Sequence, residues 1–233
     1  MRHSQRLALK TVGRSRRAVS LVVTAAVLLS CGSGCSLFVM AGKMFFGDPT
    51  IPSHFHRMVG IDLTDGEHSV LVVTTTPEAI KRDAPAIDLD ITERVSRRLK
   101  NKGVDLFPSG EVLTWLDDRG GRWDDVDEIA RAFETDYIVH CDLRELTFYE
   151  ENSSDLYRGK VNGSIYCYEV AEENGVYLAQ RVFNVEFDST YPSHRPKLAH
   201  QMSERIFREE FVDRVCKQVA LTFYDHKLSE EID

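Results

Sequence analysis

The sequence predicts an α/β fold (α+β in its detailed order), in which a mixed sheet of about five strands carries helices on one or both faces. A continuous apolar run at 69–74 is typical of a buried strand. Residues 83–102 and 202–224 repeat apolar side chains at helical spacing. Residues 137–189 contain three long strand-like segments separated by turn residues. The predicted order is β-α-β-α-α-β-β-β-α.

Strands and helices alternate in the first half of this order. The predicted elements are a strand at 69–74, a helix at 83–102, a strand at 104–107, a short helix from 109 and a helix at 125–134. Pro85 is tolerated in the first turn of a helix, and Gly103 suits the left-handed backbone that caps one. Asp124 and Ser109 are N-cap residue types.

The second half is a strand meander closed by a helix. The predicted elements are strands at 137–149, 157–171 and 176–189, then a helix at 202–224. Glu173-Asn174-Gly175 is a hairpin turn, with Gly175 suited to a positive φ. Phe183, Val185 and Phe187 alternate with polar residues, so one face of the last strand is expected to be buried.

The N-terminus has the layout of an export signal. Six cationic residues and no acidic one precede an apolar segment at 21–29. Leu28-Leu29-Ser30-Cys31 then resembles the lipobox of bacterial lipoproteins. That resemblance implies removal of residues 1–30 and acylation of Cys31, with fatty-acyl groups such as palmitate. Gly32, next to this cysteine, implies the outer membrane rather than the inner one.

Two alternatives remain at this leader. Cys35 is a second candidate for lipidation, although Gly32-Ser33-Gly34 supplies no leucine before it. Apolar character also resumes at 37–42, so residues 18–42 are long enough to stay in the inner membrane as a single helix. In both cases the rest of the chain faces the periplasm.

Domain organisation follows from the leader. Residues 1–30 are the signal peptide, 31–67 a lipid-anchored tether with turn chemistry, 68–226 a single α/β domain, and 227–233 a polar, frayed tail.

Removal of the leader leaves 23 basic residues against 37 acidic ones, a formal charge of −14. Such a body would repel phosphates, which argues against nucleic acid as a partner.

The body also resembles a group of envelope proteins. Its order is similar to that of the curli-secretion lipoprotein, the lipoprotein activators of penicillin-binding proteins and the N-terminal domain of the Tol-system periplasmic protein. The matching stretch is a helix followed by a strand, Ile129-Ala130-Arg131-Ala132-Phe133-Glu134-Thr135-Asp136-Tyr137-Ile138-Val139. The resemblance implies a protein-interaction role in the cell envelope.

Candidate reactive groups are few. Cys141 and Cys167 fall on adjacent predicted strands and are a candidate disulfide, with buried free thiols as the alternative; Cys216 lies on the last helix. His140 and Cys141 point to opposite faces, which argues against a catalytic pair. His54 and His56 with His68 are candidate metal ligands, but their spacing fits no recognised site and no metal is predicted.

Several carboxylates occur as close pairs in the sequence. Most of these pairs lie at predicted helix ends or turns, where capping and solvation explain them. The pairs are Asp88 with Asp90, Asp117 with Asp118, Asp124 with Asp125, and Glu150 with Glu151. Six tyrosines in the strand region offer either cross-strand packing or an exposed binding strip: Tyr149, Tyr157, Tyr166, Tyr168, Tyr177 and Tyr191. No phosphate loop or hydrolase motif is present, so no catalytic residue and no cofactor is predicted.

The expected function is therefore a membrane-anchored envelope lipoprotein that binds or assembles with a protein partner, whose identity the sequence does not indicate. Two alternatives stay open: an envelope hydrolase or metal-dependent enzyme that uses the carboxylate turns or the exposed histidines, and a subunit of an envelope secretion or transport assembly.

Overall fold

A computed structural model of the chain describes residues 49–232 except Arg122 and Asp124. The helices are α1 (His54–Val59), α2 (Glu78–Asp83), α3 (Ile87–Lys100), α4 (Ser109–Asp118), α5 (Val126–Phe133), α6 (Glu204–Leu221) and α7 (Leu228–Ile232). The strands are β1 (Thr50–Ile51), β2 (Ser69–Thr75), β3 (Asp105–Leu106), β4 (Tyr137–Tyr149), β5 (Leu156–Glu173), β6 (Val176–Tyr191), β7 (Lys197–Leu198) and β8 (His226–Lys227). The leader, with Cys31 and Cys35, lies outside the described residues.

The main sheet is mixed, as the sequence predicts. Its strands lie in the order β3-β2-β4-β5-β6, with β7 added beside β5. β2 runs parallel to β3 and β4, whereas β4, β5 and β6 form an antiparallel meander. A separate two-stranded sheet pairs β1 with β8.

The two faces of the sheet carry different helices, so β2 is apolar on both sides. Val70 and Val72 point into the larger core, which also contains side chains of α1, α3 and α6. Leu71 and Val73 point into a smaller core with α4 and α5. The alternation of side chains along a strand explains why this segment has no polar position between 70 and 73.

The long strands agree closely with the sequence prediction, because alternation and turn residues define them. β4 has the predicted bounds, and Asn174 and Gly175 both adopt positive φ between β5 and β6. The predicted helix at 83–102 is α3, which begins at Ile87 and ends at Lys100, and the short helix α2 before it was not predicted. Pro85 lies between them, because proline disfavours helical geometry in the residue before it and lacks an N–H.

The predicted tether is too long. Residues 31–48 lie outside the described residues, but the chain from Thr50 onward packs on the body. Phe55 and Leu63 are fully buried in the larger core. The Phe55 N–H donates to the Thr222 carbonyl at 2.9 Å. The domain therefore begins near Thr50 rather than at residue 68, and apolar residues spaced too irregularly for a periodic pattern hold this segment in place.

The predicted frayed tail is also wrong. Lys227 pairs with Thr50 and His226 with Ile51 in the two-stranded sheet. His226 is buried, and Glu230 forms an ion pair with Lys102 at 3.0 Å. A polar composition at the end of the chain concealed these contacts, because both partners lie far away in sequence.

The closing helix α6 has the predicted apolar stripe with one exception. Phe207, Phe211, Val215 and Val219 are buried, whereas Ile206 is 43% exposed. Within the described residues, no helix is both long enough and apolar enough to cross a bilayer.

Candidate functional site

One face of the β4–β5–β6 meander is polar over most of its length. Helices α4 and α5 cover only its end near Ile138 and Tyr177. Beyond that end, the side chains form cross-strand rows: His140 with Tyr166 and Asn184, Asp142 with Ser164 and Glu186, and Glu145 with Asn162 and Asp188. We call these nine residues, together with Arg144, the open sheet face.

Hydrogen bonds across the strands order the open sheet face. The Ser164 hydroxyl donates to Glu186 at 2.8 Å, and Arg144 forms an ion pair with the same carboxylate. The Asn162 amide donates to Glu145 at 2.6 Å. These bonds to Ser164 and Arg144 hold the pKa of Glu186 below its ordinary value. The face therefore presents pre-oriented polar groups, of which Arg144, Glu145, Asn184, Glu186 and Asp188 are exposed, whereas Ser164 is buried.

His140 is the histidine of the open sheet face. Its Nε2 atom lies 2.7 Å from the Thr75 hydroxyl, which also donates to Asp142 at 2.8 Å. Trp123 and Tyr166 pack against the ring at centroid distances of 5.3 and 5.7 Å. Burial lowers the pKa of His140 to about 4, and Asp142 opposes this only in part. The imidazole is therefore neutral at physiological pH.

The three cysteines among the described residues are unsuited to nucleophilic chemistry. Cys141, Cys167 and Cys216 are free and buried in the larger core. Burial raises the pKa of all three thiols, that of Cys216 to about 12. As predicted, Cys141 lies on the opposite face of β4 from His140.

The candidate disulfide between Cys141 and Cys167 is not formed. The register places Cys141 opposite Ile165 and Cys167 opposite Val139, so the two cysteines are diagonal neighbours. Diagonal pairs are roughly 7–8 Å apart, beyond the usual Cα separation of a disulfide. The bulges of β4 and the exact turn set this register, and neither was evident from composition.

The carboxylate pairs are dispersed and occupied by structural roles. Asp88 forms an ion pair with Lys81 at 2.7 Å, and Asp90 with Arg94 at 2.6 Å. Glu150 bonds Arg158 at 2.9 Å. Asp125, rather than Asp124, caps α5, accepting from the Asp127 N–H. Asp117 and Asp118 end α4, and Glu151 lies in an exposed turn. Across the described residues, these pairs do not converge on one cleft.

The tyrosines divide between the two faces rather than forming one strip. Tyr157 and Tyr191 stack on Phe207 of α6 at 5.1 and 6.1 Å, and Tyr149 packs beside Tyr157. Tyr166, Tyr168 and Tyr177 lie on the other face. Packing against helices and neighbouring strands therefore accounts for most of this aromatic content.

A groove of about 450 Å³ lies between the α2–α3 junction and α6. Its cations are already paired. Arg94 bonds Asp90, and Arg208 bonds Glu204 at 2.6 Å and the Asp83 carbonyl at 3.0 Å while covering the Phe148 ring. These contacts give the groove a structural role in joining α2 to α6.

The histidines weighed as metal ligands do not meet. His54 packs on Phe183 and His68 on Tyr137, each at 5.3 Å between centroids. His56 instead faces Asp62 and Asp225, and the three potential ligand atoms lie within 4.8 Å of one another. The Thr64 hydroxyl lowers the pKa of Asp62. Sequence proximity grouped the wrong partners, since Asp225 is 169 residues from His56.

Comparisons with known proteins give remote structural likenesses. A variant of the PelC dodecamer from Paraburkholderia phytofirmans is 12% identical, with a TM-score of 0.40, covering 76% of this chain and 96% of the other. The lipoprotein GNA1162 from Neisseria meningitidis is 15% identical, with a TM-score of 0.38, covering 66% of this chain and 98% of the other. No protein-family model matches the sequence, and no curated protein does. Function therefore has to be inferred from the residues of this chain.

Proposed function

We propose that this protein is a non-catalytic lipoprotein of the bacterial cell envelope, anchored through Cys31, whose α/β body binds an envelope protein. The lipobox-like leader supports the location. The open sheet face is the observation that carries the binding role. It is a broad, ordered polar surface made by three long strands, and it is built separately from the apolar core.

The anchor holds the body close to the bilayer. Eighteen residues lie between Cys31 and Thr50, where the packed body starts. At about 3.5 Å per residue, this segment reaches at most roughly 65 Å. Acylation of Cys31 with more than one chain would make attachment stable, because a single chain binds a bilayer only marginally. The outer membrane is the proposed destination, since Gly32 follows the cysteine.

The Cys31→Ser variant tests the anchor. We expect the wild-type protein to carry an acyl mass on Cys31 and to fractionate with membranes, whereas Cys31→Ser lacks the mass and is released from them. Cys35→Ser is the matched control and should keep both properties. A wild-type protein with unmodified Cys31, together with a Cys31→Ser protein that is still membrane-bound, would favour a retained N-terminal helix and contradict the lipid anchor.

Binding through the open sheet face is also proposed from its hydrogen-bonding capacity. Paired side chains that are already oriented lose little conformational entropy when they meet a partner surface. Charged rows on this face also discriminate among partners, because an unmatched charge at an interface is costly. The occupant is therefore a folded protein surface with complementary polar groups.

Site-specific photocrosslinking in intact cells tests this binding surface. A photoreactive residue at exposed Asn184, on the open sheet face, should yield a discrete crosslinked envelope protein. The same residue at exposed Glu111, on α4, should not. Equal products from both positions, or none from Asn184, would count against docking at this face. A product containing only two copies of this chain would assign the face to self-assembly.

A further inference from the structure

Three side chains of metal-ligating type converge where the N-terminal part of the body meets the C-terminal part. His56 comes from α1, Asp62 from the start of the 3₁₀ helix Leu63–Asp65, and Asp225 from the segment after α6. Their potential ligand atoms lie within 4.8 Å of one another, and each residue is partly buried. The closest pair is His56 Nδ1 and Asp225 Oδ1, at 3.2 Å.

The backbone around these residues is already fixed. The Ser53 N–H donates to Asp225 Oδ1 at 2.8 Å, and the Ser53 hydroxyl accepts from the His56 N–H at 3.0 Å. Asp62 Oδ1 accepts from the Thr64 N–H at 2.9 Å and from the Thr64 hydroxyl at 2.7 Å. These bonds orient both carboxylates before any ligand arrives.

The same bonds leave one oxygen of each carboxylate for another partner. All hydrogen bonds that the described residues make to Asp62 and Asp225 use Oδ1, and none uses Oδ2. Two carboxylates beside a single imidazole carry an excess of negative charge when the imidazole is neutral. This arrangement resembles the first-row metal sites in which supporting hydrogen bonds hold each ligand in place.

We propose that His56, Asp62 and Asp225 form a binding site for a divalent transition-metal ion of the zinc type. Zinc takes nitrogen and oxygen ligands at roughly 2.0–2.2 Å and accepts three protein ligands with water in the fourth position. Ligand atoms within 4.8 Å reach one ion after side-chain movements of about 1 Å. Magnesium and calcium prefer more oxygen ligands, so the imidazole selects against them.

The bound ion would act as a clamp rather than as a catalyst. It would join the segment that enters the body from the leader to the segment that leaves α6. The same junction is held by the Phe55 N–H, which donates to the Thr222 carbonyl at 2.9 Å. An ion that binds only the folded chain raises its stability in proportion to the logarithm of the free ion concentration.

Titration of the full-length chain in detergent with Zn²⁺ alone tests the site. We expect the wild-type chain to bind an equivalent of Zn²⁺ that His56→Ala binds at least about tenfold more weakly. His54→Ala and His68→Ala are matched controls and should bind as the wild type does, because these histidines pack on Phe183 and Tyr137 instead. Equal titrations of wild type and His56→Ala would overturn the proposal.

Thermal unfolding gives an independent readout that detects a folding defect. Without metal, His56→Ala should unfold near the wild-type Tm, since alanine is favourable in a helix. Zn²⁺ should raise the Tm of the wild type and of both control variants, but not that of His56→Ala or Asp62→Asn. A Zn²⁺-dependent rise of equal size in His56→Ala would place binding elsewhere. A larger rise with Mg²⁺ than with Zn²⁺ would refute the zinc-type assignment.

Discussion

His140, a single side chain of the open sheet face, makes the free energy of unfolding depend on pH. Its ring faces Thr75, Asp142, Trp123 and Tyr166, and burial lowers its pKa to about 4. The unfolded chain binds this proton near pH 6.5. Between these two values the unfolded state holds more protons than the folded state, so acid destabilises the fold.

We predict that His140 contributes a loss of stability as the pH falls from about 6.5 toward 4. Between about pH 7.5 and pH 5.5 the loss should be about 1 kcal/mol. Urea unfolding of the wild type and of His140→Gln measures it, because glutamine retains hydrogen bonding without this titration. Exposed His200→Gln is the control and should keep the wild-type pH dependence. Identical pH dependence in His140→Gln and wild type would contradict the prediction.

At the level of single residues, the sequence correctly predicts side-chain placement where a local pattern decides it. Strand alternation correctly placed Cys141 and His140 on opposite faces. It failed where the partners are distant in the chain. The association of His56 with Asp225 depends on α1 packing beside the end of α6, and no local signal near either residue reports this contact.

At the scale of elements, the close approach of β4 and of α6 limits the size of side chains in β5. A Cβ atom on Gly163 would lie 2.4 Å from the Asp142 carbonyl oxygen, and one on Gly159 would lie 2.4 Å from the Phe211 ring. Gly163 meets backbone, which cannot move aside easily. Glycine within a strand commonly marks such an approach.

Gly163→Ala should therefore destabilise the protein by about 2–3 kcal/mol, because β4 or β5 must shift to admit the methyl group. Gly110→Ala is the matched control. Gly110 lies in α4, where an added Cβ would have no heavy atom within 4 Å, and alanine there should be neutral or stabilising by up to about 1 kcal/mol. Chemical denaturation of both variants makes the comparison. A Gly163→Ala variant as stable as the wild type would show that the strand separation is adjustable.

The long strands and α6 were predictable because their periodicity extends over many residues. The later start of α3 was not predicted, because Pro85 fits the first turn of a helix as well as the gap between α2 and α3. The short strands β1, β7 and β8 have two residues each, too few to show any alternation. Their pairing depends on the completed fold, so sequence periodicity could not identify them.

At the scale of the whole molecule, the two ends of the described chain close on each other. β1 and β8 pair antiparallel, and Lys102 holds α7 through Glu230. The sequence predicts the mixed α/β architecture, but it gives no sign of regular structure at either end of the described chain. Their order comes from contacts between segments about 170 residues apart, such as the hydrogen bond between Ser53 and Asp225.

Deletion of residues 226–233 should lower the free energy of unfolding by on the order of 2 kcal/mol, because β1 loses its partner strand and buried His226 is removed. For a chain of this size the Tm should fall by about 4–8 °C. Thermal unfolding measures the change. Glu230→Gln serves as the control, since an exposed ion pair contributes about 1 kcal/mol or less. An unchanged Tm after truncation would support a frayed tail.

The pairing of β1 with β8 also has a mechanical consequence. The proposed lipid anchor would precede Thr50, so a pull from the membrane would enter the body at β1. Next in its path are the hydrogen bonds of β1 with β8 and the buried side chain of Phe55. The three strands of the open sheet face lie outside that path. A partner bound to those strands would therefore stay docked under a tension that first breaks the hydrogen bonds between β1 and β8.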